Sequence, residues 1–433
     1  MKMTSRAALA AVLALGTAAM LATPPAFAKD DKKKKDEQAQ AATASQRPTP
    51  AFVKAAAPVD AAIKAQDYAA LEAALPAVEA AAAAGNDYDK LLTGKWKLAI
   101  LQRKKDFAGM EPVLDALIAN PLLPPADLPN YYFNKGLIAR DAKRSPDAIA
   151  ALRKAGELGY KQGDGATPED RQIVPLSLAT AYNAANQYAE GAKAVLQAID
   201  AEKGAGNKPP AAWYDYAVGG YYNAKDYASA SDVSLRKLRD YPGAEGWRTA
   251  IILYAKTRTT IPKAERVDLY RLQRVIGSLA DQNDYDDYAN SVQNSGLPWE
   301  TKVVIEEGRS KGKISASDAT ANSLYASALA AIKAEMPLAT LEPKAAASAT
   351  GALSAQTGDA YLASGNYAKA ITLYQAALAK GVNNADDVNT RLGIALTNTG
   401  DKAGAKEAFS KVSGASRKEI AKFWLAWLDM PAA

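Results

Sequence analysis

Between Gly358 and Leu378 the chain reads GDAYLASGNYAKAITLYQAAL, and its smallest and largest side chains recur at helical intervals. Gly358, Ala360, Ala370 and Ala377 alternate with Tyr361, Tyr367 and Tyr374, and Gly365-Asn366 interrupts the run. Two helices approach closely only where facing side chains are small, and each tyrosine then fills the wedge left between neighbouring pairs. The spacing therefore predicts two antiparallel helices joined by a turn at Gly365-Asn366. A large side chain at Ala370 would force them apart, at about 1–3 kcal/mol.

From residue 52 onward, alanine-rich segments with apolar residues at helical spacing alternate with Gly, Asn, Asp and Pro, and no segment alternates as a strand would. Weaker copies of the same pattern run along the chain. RLGIALTNTGDKAGAKEAF keeps Gly393, Ala395, Leu396, Gly400, Ala405 and Phe409, and LATAYNAANQYAEGAKAVLQAI keeps Ala181, Tyr182, Tyr188, Ala192, Ala198 and Ile199. VGGYYNAKDYASA keeps Tyr221, Tyr227 and Ala230, while KGLIARDAKRSPDAIAALRKA keeps Gly136, Ala139, Ala148, Leu152 and Ala155. YANSVQNSGLPWETKVVIEEG keeps Gly296, Thr301 and Ile305, with Pro298 where a tyrosine is expected. Upstream, Phe107, Leu114 and Leu117, and Tyr68, Leu71, Leu75 and Val78, hold second-helix positions, which makes about eight helix pairs.

The 358–378 stretch resembles the tetratricopeptide repeat family, whose signature of about 34 residues is a helix pair with small, aromatic and alanine positions at fixed offsets. The resemblance spans roughly residues 58 to 414 and is specific from 354 to 412. It implies an all-α solenoid of helix-turn-helix repeats, as in an exported bacterial member with degenerate N-terminal repeats. Its connections NPLLPPADLPN, GYKQGDGATPEDRQ and DAEKGAGNKPPA are long, and all three follow a second helix, so they are expected on one edge of the array. The resemblance further implies that first helices line a concave groove. Residues four after the small position then form a ladder of Gln102, Arg140, Asn183, Tyr222, Gln293 and Thr397, with Leu362 the apolar rung. Asn290 and Asp359, one residue after that position, join it. The lysine, asparagine and arginine set with which some members clamp a peptide carboxylate is absent as a set.

The organisation expected is a signal peptide at 1–28, a charged Ala/Pro-rich tether at 29–51, a degenerate array at 52–312, an irregular helical joint at 313–345, a well-formed repeat pair at 346–414 and a capping helix at 415–433. Lys2 and Arg6 precede an uncharged, mostly apolar run from Ala7 to Leu21, and Ala26-Phe27-Ala28 offers small residues flanking a cut after Ala28. Export to the periplasm or outside the cell follows, with no membrane-spanning segment once the signal is removed. Phe423, Trp424, Trp427 and Leu428 mark one apolar side of the last segment, which is expected to cover the open end of the array or else to dock a partner.

The chain contains no histidine and no cysteine, which removes the commonest general base, the serine triad, thiol nucleophiles and nearly every zinc site. Removing Lys2 and Arg6 takes two from a formal charge of +6, too small a surplus for a nucleic-acid surface. DQNDYDDY, with Asp281, Asp284, Asp286 and Asp287, lacks the glycine and glutamate of a calcium loop and reads as an acidic turn before a helix. GYKQGDG and EKGAGNK lack the ending of a phosphate cradle. Glu300 and Glu306-Glu307, the carboxylates weighed for glycoside cleavage, sit inside a repeat-like helix. Trp213, Tyr214, Tyr216, Tyr221, Tyr222 and Tyr227 read chiefly as packing between helices, and otherwise as a stacking platform for sugar or peptide. No catalytic residue, metal or cofactor is therefore expected. The leading function is a scaffold that holds another envelope protein or a peptide in its groove; the alternatives are a binder of cell-wall or exported polysaccharide and, behind it, a wall hydrolase. Export predicts that the mature protein lacks residues 1–28, and mass spectrometry of its N-terminus will detect Met1 if the segment is instead retained.

Overall fold

The computed structural model describes residues 47–163, 165–257 and 261–430. The segment expected to be a signal peptide, residues 1–28, and the expected tether up to residue 46 lie outside the described residues. Among those described, every regular element is a helix and no strand occurs. The chain divides into two compact units between Ala224 and Lys225, inside the span expected to form one array from 52 to 312.

The first unit contains α1 (Pro50–Ala65), α2 (Tyr68–Ala83), α3 (Asp87–Lys104), α4 (Phe107–Ile118), α5 (Leu128–Asp141), α6 (Ser145–Glu157), the single turn α7 (Pro168–Arg171), α8 (Ile173–Ala184), α9 (Tyr188–Gly204) and α10 (Ala211–Asn223). Apart from α7, each packs on the next. The helix α1 begins at Pro50, within the segment expected to be tether, because Thr49 caps it and in turn donates its hydroxyl to Asp89 at 2.8 Å. Phe52 is thereby set in parallel stacking against Trp96, with ring centroids 5.8 Å apart. The stretch Asp200 to Gly204, expected to be loop, continues α9 instead. Its Glu202 is buried and accepts hydrogen bonds from Arg171, Gln172 and Asn207, so one carboxylate pins two long connections to each other.

The second unit contains α11 (Tyr227–Asp240), α12 (Ala244–Lys256), α13 (Lys263–Ile276), α14 (Gln282–Gln293), α15 (Pro298–Ser310), α16 (Ala319–Ala334), the short α17 (Glu342–Ala347), α18 (Ala352–Ala363), α19 (Tyr367–Lys380), α20 (Ala385–Asn398), α21 (Lys402–Ser410) and α22 (Ala415–Leu428). Tyr227 opens a helix whose hairpin partner is α12, against which Ser231 donates to the Ala250 carbonyl. Residues 313–345 hold one long helix, α16, followed by a 3-10 turn at Leu338–Thr340 and the start of α17. Acidic Asp281 caps α14 by accepting the Asp284 amide, while Asp284, Asp286 and Asp287 lie within that helix and not in a turn before it. No helix among the described residues is long and apolar enough to cross a membrane.

One turn recurs between paired helices: a residue in the left-handed region, then the first residue before the new helix. It is seen at Gln66-Asp67, Lys105-Asp106, Lys143-Arg144, Asn186-Gln187, Gly296-Leu297, Gly365-Asn366 and Gly400-Asp401, and an aromatic residue follows in four of the seven. Where the second residue is Asp or Asn its side chain accepts a backbone amide of the next turn, as Asp106 does from Gly109 and Asn366 from Lys369. The left-handed residue does not depend on that cap, since Lys143-Arg144 and Asn186-Gln187 keep the turn with no side-chain cap and no glycine.

Three hairpins also share a register: a glycine on the first helix faces a large residue sixteen positions later. A Cβ built on Gly358 would lie 2.9 Å from the Tyr374 ring, one on Gly393 2.7 Å from the Phe409 ring, and one on Gly136 2.6 Å from Leu152. Ala370 is fully buried, as its role in close packing requires. Gly393→Ala is expected to destabilise by about 1–3 kcal/mol, since the ring of Phe409 is itself buried and has no room to yield. Gly219→Ala on α10, where a Cβ meets nothing within 4 Å, is expected to stabilise by about 0.5–1 kcal/mol. Urea denaturation of the two variants reads the opposite signs directly.

Candidate functional site in the C-terminal unit

The C-terminal helix does more than cover the last hairpin. Ile420, Phe423 and Trp424 are buried, with Trp424 stacked on Phe409 of α21 at 5.6 Å and Phe423 edge-on to Tyr254 of α12 at 5.4 Å. Lys422 pairs with Asp232 of α11 at 2.6 Å. The last helix of the unit thus reaches its first three through Asp232, Tyr254 and Asp268, with Ile420, Phe423 and Trp424 buried inside the unit.

Charged groups fix that closure. Asp268 of α13 is fully buried and accepts from Arg271 at 2.8 Å and from Arg417 of α22. Arg417 also pairs with Asp387 of α20, and Arg271 makes a two-pronged contact with Glu300 of α15, its Nε at 2.9 Å. Tyr288 donates to Glu300 at 2.6 Å. Alongside, Asp359 of α18 accepts from Tyr374 at 2.7 Å and from Arg391 at 2.6 Å. Burial alone would push the Asp268 carboxyl up, but Arg417, Arg391 and Arg271 together hold it below its usual value. Burial likewise opposes the charge on Arg271, yet Glu300 and Asp268 keep it protonated well above the ordinary arginine value.

Next to this network lies a cleft of about 460 Å³ between α13, α14 and α15 on one side and α18, α19 and α20 on the other. Val275, Val303, Leu362 and Ile394 supply its apolar surface, and Arg271, Arg274, Glu300, Glu307, Lys311 and Asn398 are among its polar groups. Burial works against ionisation of Glu307, but hydrogen bonds from Lys311 and Arg274 bring its carboxyl below the usual range. An ionised carboxylate among its own cations can orient a polar ligand; it has no proton to give at neutral pH.

The expected ladder residues fall in both units. Gln102 of α3 and Arg140 of α5 are half-buried, the latter paired with Asp141 at 2.8 Å. Asn183 of α8 has a buried Oδ1 with no hydrogen-bond partner, and Tyr222 of α10 is 41% exposed. Asn290 of α14 donates to the Asp286 carbonyl and Thr397 of α20 to the Gly393 carbonyl, so both are satisfied along their own helices. The Oε1 of Gln293 is buried without a partner, and Asp359 is engaged by Tyr374 and Arg391. Of the ladder, the cleft takes in Leu362 and none of Asn290, Gln293, Asp359 or Thr397. The crowded aromatics of α10 are mostly internal, since Trp213, Tyr214 and Tyr221 are buried and Tyr216 donates to the Ala179 carbonyl.

Sequence reasoning missed Arg271, Arg274, Tyr288 and Lys311 as site residues. The signal was present in DLYRLQR, where Asp268, Arg271 and Arg274 recur every three residues, but charges at helical spacing ordinarily mark a solvated face.

No family model matches the sequence, and no curated protein matches it. Solved structures similar to it include the TPR2AB domain of yeast Sti1 in complex with pHSP90, at 12% identity over 70% of this chain and 98% of that one, with a TM-score of 0.24. The apo quorum sensor NprR from B. thuringiensis is 14% identical over 88% of this chain and 99% of its own, with a TM-score of 0.25. Naa15/Naa10 bound to HypK-THB is 12% identical over 86% and 66%, with a TM-score of 0.31. The fold itself rests on the hairpin register and turns described above. Among the described residues each unit is all-α, built of helix-turn-helix hairpins as the resemblance to tetratricopeptide repeats implies.

Asp268→Ala would leave Arg417 and Arg271 without their shared buried carboxylate, and an unfolding loss of about 3–5 kcal/mol is expected in the second unit. Because the folded Asp268 carboxyl lies below its unfolded value, its contribution is complete above the unfolded pKa of about 3.9 and fades as pH falls toward the folded one. The stability gap between wild type and Asp268→Asn should hold level from about pH 7 to 5 and narrow below about pH 4, as urea titrations at each pH will read.

Proposed function

We propose that this protein is an exported scaffold that holds a peptide segment of another envelope protein in the cleft of its C-terminal unit. The observation that carries this reading is the cleft itself, at about 460 Å³ within the roughly 300–1,000 Å³ typical of ligand pockets. One part is apolar, from Val275, Val303, Leu362 and Ile394, and another presents charged groups on α13 and α15. A peptide offers both kinds of surface along one chain. The cleft's carboxylates are bound by arginine, lysine and tyrosine, which suits recognition rather than bond cleavage. The export half of the reading rests on Lys2, Arg6 and the Ala26-Phe27-Ala28 cut.

A photo-crosslinking residue placed at Asn398, exposed at the edge of the cleft, is expected to capture one envelope protein saturably. Val303→Trp should reduce capture at least about tenfold by filling the apolar part, while Tyr222→Ala, far along the chain in the first unit, should not. Saturable sugar binding on a glycan array, abolished by Tyr222→Ala with no peptide captured, would put the polysaccharide reading in its place.

A further inference from the structure

The donors and acceptors of the cleft do not balance. Glu307 accepts from the Nε of Arg274, from Lys311 at 2.7 Å and from Tyr285 at 3.3 Å, so the protein's own donors engage both of its oxygens. Glu300 is equally occupied, by two nitrogens of Arg271 and the hydroxyl of Tyr288. Arg274 spends only its Nε on Glu307; among the described residues its two terminal nitrogens meet no acceptor. They lie on a side chain that is 29% exposed and lines the cleft. Lys311, 49% exposed, shares the same single carboxylate, so this end of the cleft holds two cations against one anion.

A guanidinium with a free planar donor pair at the rim of an apolar cleft is matched by a carboxylate, which accepts both N–H groups at once. A neutral carbonyl would satisfy one of them and leave the second cation uncompensated. Behind the wall, Asp268 is already committed to Arg271 and Arg417, so no internal acid is at hand to serve Arg274.

We infer that Arg274, assisted by Lys311, is the recognition site for an acidic side chain of the bound peptide, with Leu362 and Ile394 receiving an apolar neighbour. This inference rests on the peptide reading for the source of the carboxylate, and not for the carboxylate site itself.

The test uses the full chain and two probes: glutarate, followed through the Nε resonance of Arg274, and an array of random peptides synthesised with Asp and Glu or with Asn and Gln in their place. Glutarate should shift that resonance saturably, and acid-bearing peptides should bind at least about tenfold more tightly than their amide counterparts. Arg274→Gln should remove that preference, and Arg274→Lys, which keeps the charge and loses the planar pair, should recover it only in part. Circular dichroism checks that each variant folds; if Arg274→Gln does not, Arg274→Lys decides alone. Peptides that bind without regard to acid content or to Arg274 would overturn the inference and leave the peptide reading standing. Glutarate binding at Arg274 with no peptide bound would uphold the carboxylate site and sink the peptide reading. Silence from both probes would overturn the two together.

Discussion

Everything in this fold depends on how near two helix backbones can come. Where Gly136, Gly358 or Gly393 lacks a Cβ, the side chain sixteen residues later occupies the vacant space, and the hairpin closes on it. In these three hairpins that register orients the first helix relative to the second. The turns then need little from glycine. Gln66, Lys105, Lys143 and Asn186 take the left-handed conformation where Gly365 and Gly400 do elsewhere, and Asp67, Asp106 and Asn366 cap the helix that follows.

In the second unit a different constraint is added. Apolar surfaces alone would let α22 settle in more than one register against α13 and α20. Arg417 reaches Asp268 on one and Asp387 on the other, and a buried charge tolerates few misplacements. Replacing such a network by apolar groups need not weaken a fold, so its role here is to specify the closure: a wrong register would leave a carboxylate or guanidinium buried without its counter-charge. The aromatic face of α22, with Phe423 and Trp424, supplies the adhesion, and the ion pairs decide where it lands.

The same network shapes the cleft beside it. Arg271 belongs to both, held by Asp268 on the inner side and by Glu300 at the lining, and this leaves the neighbouring Arg274 as the side chain with donors to spare. Binding capacity thus comes from a local surplus left when the structural pairs are complete. Such a site is preorganised, since Glu307 fixes the Arg274 side chain through its Nε before any ligand arrives.

The helical repeats were legible because they rest on local periodicity: Gly393 with Phe409, or Asn366 before Tyr367, can be seen within a few turns of one sequence. By itself the sequence determined the all-α class, the hairpins from Tyr361 to Phe409, and an amphipathic last helix. Only the tertiary structure decided that the chain divides after Ala224, that α22 returns to the first helices of its unit, and that Arg274 faces a cleft. Those outcomes turn on partners such as Asp268 and Arg417, roughly 150 residues apart, whose charges look like solvated surface until folding removes the water between them.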